Sequence, residues 1–493
     1  MKLKLSGLLI LLLAVLLMFS SVLTSCADTK NVSNDTKVTE GTESTTQAPI
    51  ETENLYDSNG YLNDSIPDDV DLRGEKVTIL YWDNAKNLEF EVEGINGSII
   101  NDSLYKRNTI VEDRLNITFE WIGENGDYAQ RTDFNKIIAA DIAGSCEYDI
   151  ISAYSTTIAM ATTNGYALNL LDYDEQIDFA KPWWASDLTD MATINNKLYF
   201  ATGDISTNYL LRMYGTFFNK SIIEDLNLKS PYDYVKENNW TIDSFITVAT
   251  DSATNLNGTD IYGFVNDSIT IEALFYGAGL YFVDKDQSDE PFLSDAWRND
   301  KAETFIDKVA AFCSSEATLL SGKDETTFTD ENSTFLVYSL DFAMNYLADV
   351  DINFGIVPIP KYDADQSQYE TTLNYKYSLY MISTGSAIPE DAAYTLEAMA
   401  SQSYRTVTPE LYENVMKVRY CTDQTSQIMI DYIRDGVSFE IGRTFTHSFN
   451  YDTYRSIRAA LVGSSEVGWQ TTASSFKTVF ETQLQTLLTV FKD

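Results

Sequence analysis

The stretch KVTILYW (residues 76–82) is a compact run of apolar and β-branched residues, the pattern of a buried strand. Residues 99–115 then carry apolar side chains at helical spacing. ITFEWIG (117–123) indicates a second strand, residues 128–143 a second helix, and YDIISAY (148–154) a third strand. Strands that alternate with helices of this length are typical of βαβ units. The pattern predicts an α/β fold with a mainly parallel sheet, whose strand ends face a crevice where ligands bind.

The rest of the chain continues as mixed α/β structure and ends in helices. Strands are expected at residues 197–204, 210–220, 334–339 and 353–360. Helices are expected at residues 243–252, 270–277, 302–314, 391–401, 409–417, 426–435 and 474–491. Thr241 or Asp243 is expected to cap the helix that follows Trp240. This order predicts two α/β lobes and a helical C-terminal region.

The first 26 residues have the order of a secretory signal. Two lysines precede an apolar run over residues 8–23, and the segment ends in Leu-Thr-Ser-Cys26. This ending resembles the lipobox of bacterial lipoproteins, in which Cys26 would carry a diacylglycerol and become the mature N-terminus. The alternative is an uncleaved transmembrane anchor, although the run is near the lower length limit. Residues 27–70 are predicted to be a polar, disordered tether, which would hold the protein on the extracytoplasmic face of the cell membrane.

The net charge of the chain excludes nucleic acids as partners. The chain of 493 residues has 74 acidic and 34 basic residues, and a formal net charge of −40. Such a surface repels phosphate backbones, so a nucleic-acid partner is excluded. No stretch has the spacing of a calcium-binding loop. We predict no cofactor and no metal ligands.

Cysteine and histidine are scarce. Of the four cysteines, Cys26 belongs to the lipobox, whereas Cys146, Cys313 and Cys421 are widely separated and form no C-x-x-C pair. We interpret these three as buried small apolar residues, and one disulfide among them stays open. His447 is the one histidine, so a Ser-His-Asp or Cys-His catalytic group would depend on it. No G-x-S-x-G motif lies nearby, and we expect His447 to be structural.

Several short motifs follow one another in a characteristic order. They are the lipobox ending at Cys26, DSLYKRN (102–108) with VE (111–112), YDII (148–151), FFNK (217–220), WTIDSF (240–245), GIVPIPKY (355–362) and EAMASQSY (397–404). In this order and spacing the chain resembles the bacterial extracellular solute-binding proteins of ABC importers, in the maltose-binding-like family 1. Each motif alone is weak, but the ordered series spans about residues 77–442.

The resemblance implies a two-lobed periplasmic-binding-protein-like fold of type II, each lobe a sheet flanked by helices, which closes around a ligand by hinge motion. It implies that residues 71–209 and 353–404 form the first lobe. Residues 210–352 and 405–493, with the C-terminal helices, would form the second. It also implies a monomer that delivers its ligand, an oligosaccharide, to the membrane permease subunits of an ABC importer.

Aromatic and polar residues at strand ends are candidates for sugar binding. Sugars present hydroxyls and flat apolar faces, which suit aromatic side chains combined with charged or amide groups. Trp82 and Asp83 end the first predicted strand, and Tyr154 and Ser155 end the third, where the crevice is expected. We predict that all four contact the ligand. The alternative is a packing Trp82 beside a solvated Asp83.

Five further residues complete the predicted ligand-binding set. Asp204 follows a glycine that would let the backbone approach a ligand, or is an ordinary turn residue. Arg212 lies in an apolar stretch expected to be a strand, where it needs a carboxylate or the ligand as partner. Tyr338 and Asp341 follow another predicted strand, and Asp267 follows IYGFV. No residue is predicted to be catalytic.

Three functions are compatible with these observations. The favoured one is a lipid-anchored binding protein that captures an oligosaccharide for an ABC importer. The second is an extracellular binding module for a sensor kinase or for surface adhesion. The third is a glycoside hydrolase that uses two carboxylates, but with 74 acidic residues a carboxylate pair has almost no specificity. We therefore predict that the chain is not an enzyme.

Overall fold

The strands form two main sheets and a separate hairpin. The computed structural model describes residues 55–256, 258–320, 322–420, 423–463 and 467–492. In chain order the strands are β1 (Glu75–Trp82), β2 (Ile117–Glu124), β3 (Ile150–Tyr154), β4 (Tyr214–Asn219), β5 (Thr254–Leu256), β6 (Thr259–Asn266), β7 (Val283–Lys285), β8 (Pro291–Leu293), β9 (Thr318–Leu320), β10 (Ser333–Ser339), β11 (Phe354–Val357) and β12 (Ser378–Ile382).

Helices occupy much of the remaining described chain. In order, the α-helices are α1 (Lys86–Glu89), α2 (Ile99–Leu115), α3 (Arg131–Ala143), α4 (Ser155–Thr163), α5 (Ser186–Ala192), α6 (Thr207–Leu211), α7 (Lys220–Asp225), α8 (Pro231–Lys236), α9 (Ile242–Ser252), α10 (Glu272–Gly277), α11 (Asp300–Cys313), α12 (Asp324–Thr329), α13 (Phe342–Asn345), α14 (Pro389–Pro409), α15 (Gln424–Asp435), α16 (Ile441–Thr444), α17 (Asp452–Leu461) and α18 (Trp469–Leu488). A π-helical segment, Glu410–Tyr420, follows α14, and 3₁₀ turns lie at Asp83–Ala85, Leu170–Tyr173, Thr446–Phe449 and Thr489–Phe491.

The first sheet has the strand order β12-β3-β1-β2. β1 is parallel to β2 and β3, and β12 is antiparallel to β3. From Val77 onward β1 is buried without alternation, as expected for a central parallel strand covered on both faces. In β2, buried Ile117 and Phe119 alternate with exposed residues. The predicted mainly parallel sheet of β1, β2 and β3 is therefore confirmed.

The second sheet has the order β11-β4-β10-β6-β5, with β9 beside β6. β10 is antiparallel to β4 and parallel to β6, so this sheet is mixed. α9 packs on β6, where Gly263 leaves no room for a side chain: a Cβ there would lie 1.8 Å from the carbonyl oxygen of Ala249. We call each main sheet with the helices packed on it a lobe.

The C-terminal helices pack on both lobes. α14 packs against α2 of the first lobe, and α15 packs against β11 of the second. α17 packs against α10 and α11 of the second lobe. The chain end returns to the first lobe, where Phe491 contacts Tyr199 with ring centroids 5.3 Å apart. The C-terminal region therefore joins the two lobes.

Several sequence predictions are wrong in detail. Residues 197–204 form no strand, and their backbone meets the first sheet at one bridge, where Ala201 N donates to Tyr380 O at 2.9 Å. Residues 354–357, predicted to begin the return to the first lobe, pair with β4 in the second sheet. Residues 55–70, predicted to be tether, pack on the fold: Ile66 is buried, and Asp64 pairs with Arg114 at 2.6 Å.

The N-terminal predictions fall outside the described residues. The signal segment, Cys26 and residues 27–54 all precede the described chain, and Cys421 lies in a gap. Cys313 is buried as predicted, and burial raises the pKa of its thiol to about 12. Cys146 is exposed, which contradicts the prediction, because it lies in the turn after α3. Within the described ranges, no helix has the length and apolarity that a membrane crossing requires.

A buried carboxyl group ties α14 to the loop before α5. The Glu397 oxygens accept hydrogen bonds from the indole nitrogens of Trp183 at 3.2 Å and Trp184 at 2.8 Å. Both tryptophans are buried, and the chain turns sharply beside them at Gly203, where a Cβ would lie 2.1 Å from the carbonyl oxygen of Trp183. Burial raises the pKa of Glu397 from 4.5 to about 7.

This pKa shift predicts a pH dependence of stability. Between about pH 4.5 and 7 the folded state holds the Glu397 proton more tightly than the unfolded state, so stability falls as pH rises through this window. At about 1.4 kcal/mol per pKa unit, the Glu397 contribution falls by up to roughly 3 kcal/mol. Urea unfolding of wild type and Glu397→Gln at several pH values measures the difference in slope. Parallel pH profiles for the two proteins would contradict the shift.

Candidate ligand-binding site

Tyrosine and arginine side chains converge where the two lobes meet. We call this group the interlobe cluster. Its members are Tyr128, Tyr154, Tyr214, Tyr276, Tyr375, Tyr451 and Tyr454, with Arg131, Arg443, Arg455, Arg458 and Glu272. Tyr154 is the last residue of β3, at the carboxyl end where open α/β sheets bind ligands, and Tyr214 is the first residue of β4 in the other sheet.

One face of α17 supplies a large part of the cluster. Tyr454 and Arg458 are four residues apart and share a face of the helix. Tyr451 precedes the helix with a φ of +64°, a left-handed conformation that costs a non-glycine residue about 1–2 kcal/mol. This conformation places its ring beside Tyr128, with centroids 5.7 Å apart. Such local strain is often found at functional sites.

Polar contacts bridge from the first lobe to this helix. Arg131 Nε, at the start of α3, donates to the Tyr451 hydroxyl at 2.6 Å. The hydroxyls of Tyr128 and Tyr454 lie 3.2 Å apart. The Arg131 guanidinium also lies 4.1 Å from the centre of the Tyr128 ring, a cation–π distance. Tyr128, Arg131, Tyr451 and Tyr454 keep partial contact with solvent, so they form the outer part of the cluster.

A buried ionic group forms the inner part. Glu272, at the start of α10, accepts from Arg443 Nη2 at 3.2 Å and from Arg458 Nε at 2.9 Å. Glu272 is fully buried and Arg443 is 5% exposed. Arg443 also lies 4.0 Å from the centre of the Tyr375 ring. One carboxylate is thus the ion-pair partner of two guanidinium groups.

Burial keeps the inner tyrosines protonated. The pKa values of Tyr154, Tyr214, Tyr276 and Tyr375 are all raised by removal of water, while the nearby Arg443 acts in the opposite direction. Their hydroxyls are therefore hydrogen-bond donors across the physiological range. A neighbourhood of phenol rings, hydroxyl donors and guanidinium groups can stack on apolar ring faces and bind oxygen acceptors.

Three of the predicted residues lie at or beside the cluster. The Trp82 ring meets Tyr154 edge to face, with centroids 5.8 Å apart, and its indole nitrogen donates to Ser378 Oγ at 2.9 Å. Ser155 Oγ donates to the carbonyl of Tyr375 at 2.8 Å. Trp82 is 3% exposed, and it packs against Tyr154 inside the fold. Ligand contact by these residues stays a prediction.

The structure pairs two others with each other. Arg212 forms an ion pair with Asp341, which also accepts from Asn345 Nδ2 at 2.8 Å. Arg212 follows α6 and precedes β4, so its predicted place inside a strand is wrong. Of the two predicted partners, a carboxylate or the ligand, the structure shows the carboxylate of Asp341.

The remaining predicted residues have separate surroundings. Asp83 is exposed in the turn after β1. Asp267 Oδ1 accepts from the backbone nitrogen of Thr270 at 2.7 Å within its own turn. The Tyr338 hydroxyl donates to Glu325 at 3.0 Å. Buried Asp204 faces Arg434 at 3.7 Å, and burial raises its pKa to about 6. These contacts do not bring the four residues together.

His447 packs in the fold. Its Nε2 lies 2.9 Å from Thr163 Oγ1 on α4. Burial, with a contribution from the charge of Arg131, lowers its pKa to about 4, so the ring is neutral at physiological pH. In the part of the chain that the structure describes, no cluster of three or more His, Cys, Asp or Glu side chains could hold a metal ion.

Sequence reasoning missed most of the cluster. The residues it did not select are Tyr128, Arg131, Tyr214, Glu272, Tyr276, Tyr375, Arg443, Tyr451, Tyr454, Arg455 and Arg458. The signal that could have found some of them is YDTYRSIR (451–458), which places aromatic and cationic side chains at helical spacing in an otherwise acidic chain.

Known structures resemble this fold. No protein-family model matches the chain, and no curated protein matches it. It is similar to the galacto-N-biose-/lacto-N-biose I-binding protein of the ABC transporter from Bifidobacterium longum, solved with lacto-N-biose. Identity is 13%, the match covers 84% of this chain and 98% of that one, and the TM-score is 0.57. The chain has a solute-binding-protein fold.

Two further structures share this solute-binding-protein fold. A sugar transporter from Rhizobium etli, in an open conformation, is 14% identical, with 84% of this chain and 98% of that chain covered and a TM-score of 0.57. The cyclic alpha-maltosyl-1,6-maltose binding protein from Arthrobacter globiformis is 13% identical, with 83% and 99% covered and a TM-score of 0.55. The two-lobed α/β fold predicted from the sequence is confirmed.

Proposed function

We propose that this chain is an extracytoplasmic solute-binding protein that captures a carbohydrate between its lobes and delivers it to an ABC importer. The observation that carries the proposal is the interlobe cluster, in a fold shared with proteins whose names state that they bind sugars. Tyrosine rings suit the apolar faces of sugars, and arginine forks suit paired oxygen atoms. The cluster uses residues from both lobes, so a ligand held there would stabilise a closed arrangement.

Ligand screening tests this proposal. The purified full-length chain, in detergent, is titrated with neutral and charged oligosaccharides, and binding is read by calorimetry and by the shift in unfolding temperature. We expect at least one carbohydrate to bind and to raise the unfolding temperature. A shift with peptides or amino acids and with no carbohydrate would overturn the assignment. Recovery of the carbohydrate unchanged after incubation tests whether the chain acts without catalysis.

Tyr454→Ala is expected to weaken carbohydrate binding at least about ten-fold, because it removes a ring that pairs with Tyr375 and lies under Arg458. The matched control is Tyr432→Ala on α15, where the side chain is 48% exposed and outside the cluster. Calorimetric titration of both variants with the best carbohydrate measures the difference. Equal affinities for the two variants would remove Tyr454 from the site.

We further propose that Cys26 carries the lipid anchor and that the folded part is a monomer. The lipobox-like ending and the polar residues after it support the anchor. Cys26→Ser is expected to move the protein from the membrane fraction to the soluble fraction of expressing bacteria and to abolish labelling with a radioactive fatty acid. Unchanged membrane retention of Cys26→Ser would favour the uncleaved transmembrane segment instead.

A further inference from the structure

The interlobe cluster is positively charged, whereas the protein as a whole is strongly acidic. The whole chain has 74 acidic and 34 basic residues. The cluster has four arginines and one glutamate, and the neighbouring carboxyl groups of Asp267 and Glu440 accept hydrogen bonds from backbone nitrogens. A surface with such an acidic excess repels anions unless a local site provides positive charge. The guanidinium groups of the cluster therefore provide positive charge within an acidic protein.

Two of the arginines, Arg131 and Arg455, have no carboxylate partner among the described residues. Arg131 donates to the Tyr451 hydroxyl and to the carbonyl of Tyr128, and Arg455 donates to the carbonyl of Asn450 at 3.2 Å. Arg443 and Arg458 share Glu272. The cluster thus holds a surplus of positive charge.

Three buried donors at the cluster lack a partner. They are Arg443 Nε, the Tyr276 hydroxyl and the Tyr375 hydroxyl, for which the described residues supply no hydrogen-bond acceptor. Arg443 lies 4.0 Å from the Tyr375 ring centre and 5.5 Å from that of Tyr276, so the three donors belong to one region. Buried polar groups without a partner are rare because each costs stability. All three can donate to the acceptor oxygens of a ligand that reaches them.

We propose that the carbohydrate bound here carries an anionic group: a carboxylate, a sulfate or a phosphate. This inference rests on the proposed carbohydrate-binding function. The guanidinium forks would bind the anionic oxygens in pairs, and the tyrosine rings would pack on the sugar. An uncharged sugar that covered Arg131 and Arg455 would remove them from solvent without supplying a counterion.

Matched pairs of ligands test the charge directly. The full-length chain is titrated with trigalacturonate and its methyl ester, with a sulfated oligosaccharide and its desulfated form, and with a sugar phosphate and the free sugar. We expect the charged member of at least one pair to bind at least about ten-fold more tightly. Its affinity should fall between about 50 and about 500 mM NaCl, because salt screens exposed charges. The pair that shows the preference identifies the anion.

Two substitutions of exposed Arg455 test whether the cluster causes the preference for charged ligands. Arg455→Gln should reduce the affinity ratio between the charged and uncharged members, whereas Arg455→Lys, which keeps the charge, should largely retain it. Arg131→Gln provides a second position, and Lys477→Gln on α18 is a control outside the cluster. Equal or tighter binding of every uncharged member would overturn the anionic ligand while leaving carbohydrate binding intact. Failure of every carbohydrate to bind would overturn the proposed function itself.

Discussion

Replacing Glu272 with Gln is expected to lower the free energy of unfolding by about 3–5 kcal/mol. Glu272 is fully buried, and it pairs with Arg443 and Arg458, whose side chains are 5% and 17% exposed. The substitution keeps the volume but leaves two desolvated guanidinium groups with no counterion. Removing one member of a buried ionic group is costly for this reason. Urea unfolding of the full chain, followed by circular dichroism, measures the loss.

Glu481→Gln is the matched control for this experiment. Glu481 pairs with Lys477 at 3.5 Å on α18, and both side chains are nearly half exposed. An exposed pair of this kind contributes at most about 1 kcal/mol. If the Glu272 and Glu481 variants lose equal stability, the buried ionic group does not hold the interlobe cluster together. Addition of an anionic ligand should restore part of the stability of the Glu272 variant, because the ligand supplies a negative charge to the same arginines.

The local parts of the fold could be predicted from the sequence. The predicted helix over residues 99–115 matches Ile99–Leu115, because the apolar spacing lies within the segment and its two ends are set by the neighbouring residues, the Ser98 cap and the left-handed Asn116. Of the two predicted caps of α9, Thr241 and Asp243, the structure shows Thr241, whose side chain accepts from Ser244 N at 3.3 Å. These signals depend only on neighbouring residues.

Features that depend on distant contacts could not be predicted in the same way. Residues 197–204 have the alternation of a strand, but one bridge to Tyr380 replaces a full ladder. β12 is a short apolar run whose partner, β3, lies more than 200 residues earlier in the chain. Residues 354–357 belong to the second sheet because they pair antiparallel with β4. Pairing over such distances overrides local patterns.

In the candidate site, too, local features could be predicted from the sequence and contacts between distant residues could not. Trp82 and Tyr154 end predicted strands of a βαβ unit, and the structure places their rings in contact. Glu272 gave no local signal, because its partners Arg443 and Arg458 are 171 and 186 residues away. The sequence marks Arg212 as a charge inside an apolar stretch and Asp341 as a residue after a predicted strand, but their mutual ion pair appears only in three dimensions.

Replacing Trp240 with Ala is expected to lower the free energy of unfolding by about 3–5 kcal/mol. Trp240 is fully buried and packs against Phe245 of α9 and Phe335 of β10, with ring centroids 6.0 and 5.9 Å away. Its indole nitrogen donates to the carbonyl of Pro358 at 2.8 Å. The truncation would leave a cavity and an unpaired carbonyl where α9 meets the segment after β11. Urea unfolding of the full chain measures the loss.

Trp240→Phe separates the hydrogen bond from the packing. The phenyl ring keeps most of the apolar contact but cannot donate to Pro358, so a loss of about 1–2 kcal/mol is expected. Phe292→Ala serves as the control for ring removal, because Phe292 is 43% exposed and should cost less than about 1 kcal/mol. Hydrogen exchange should localise the Trp240→Ala effect to α9 and β10, because Trp240 packs directly on both elements. Equal protection of these elements in wild type and Trp240→Ala would show that the indole does not hold the second lobe together.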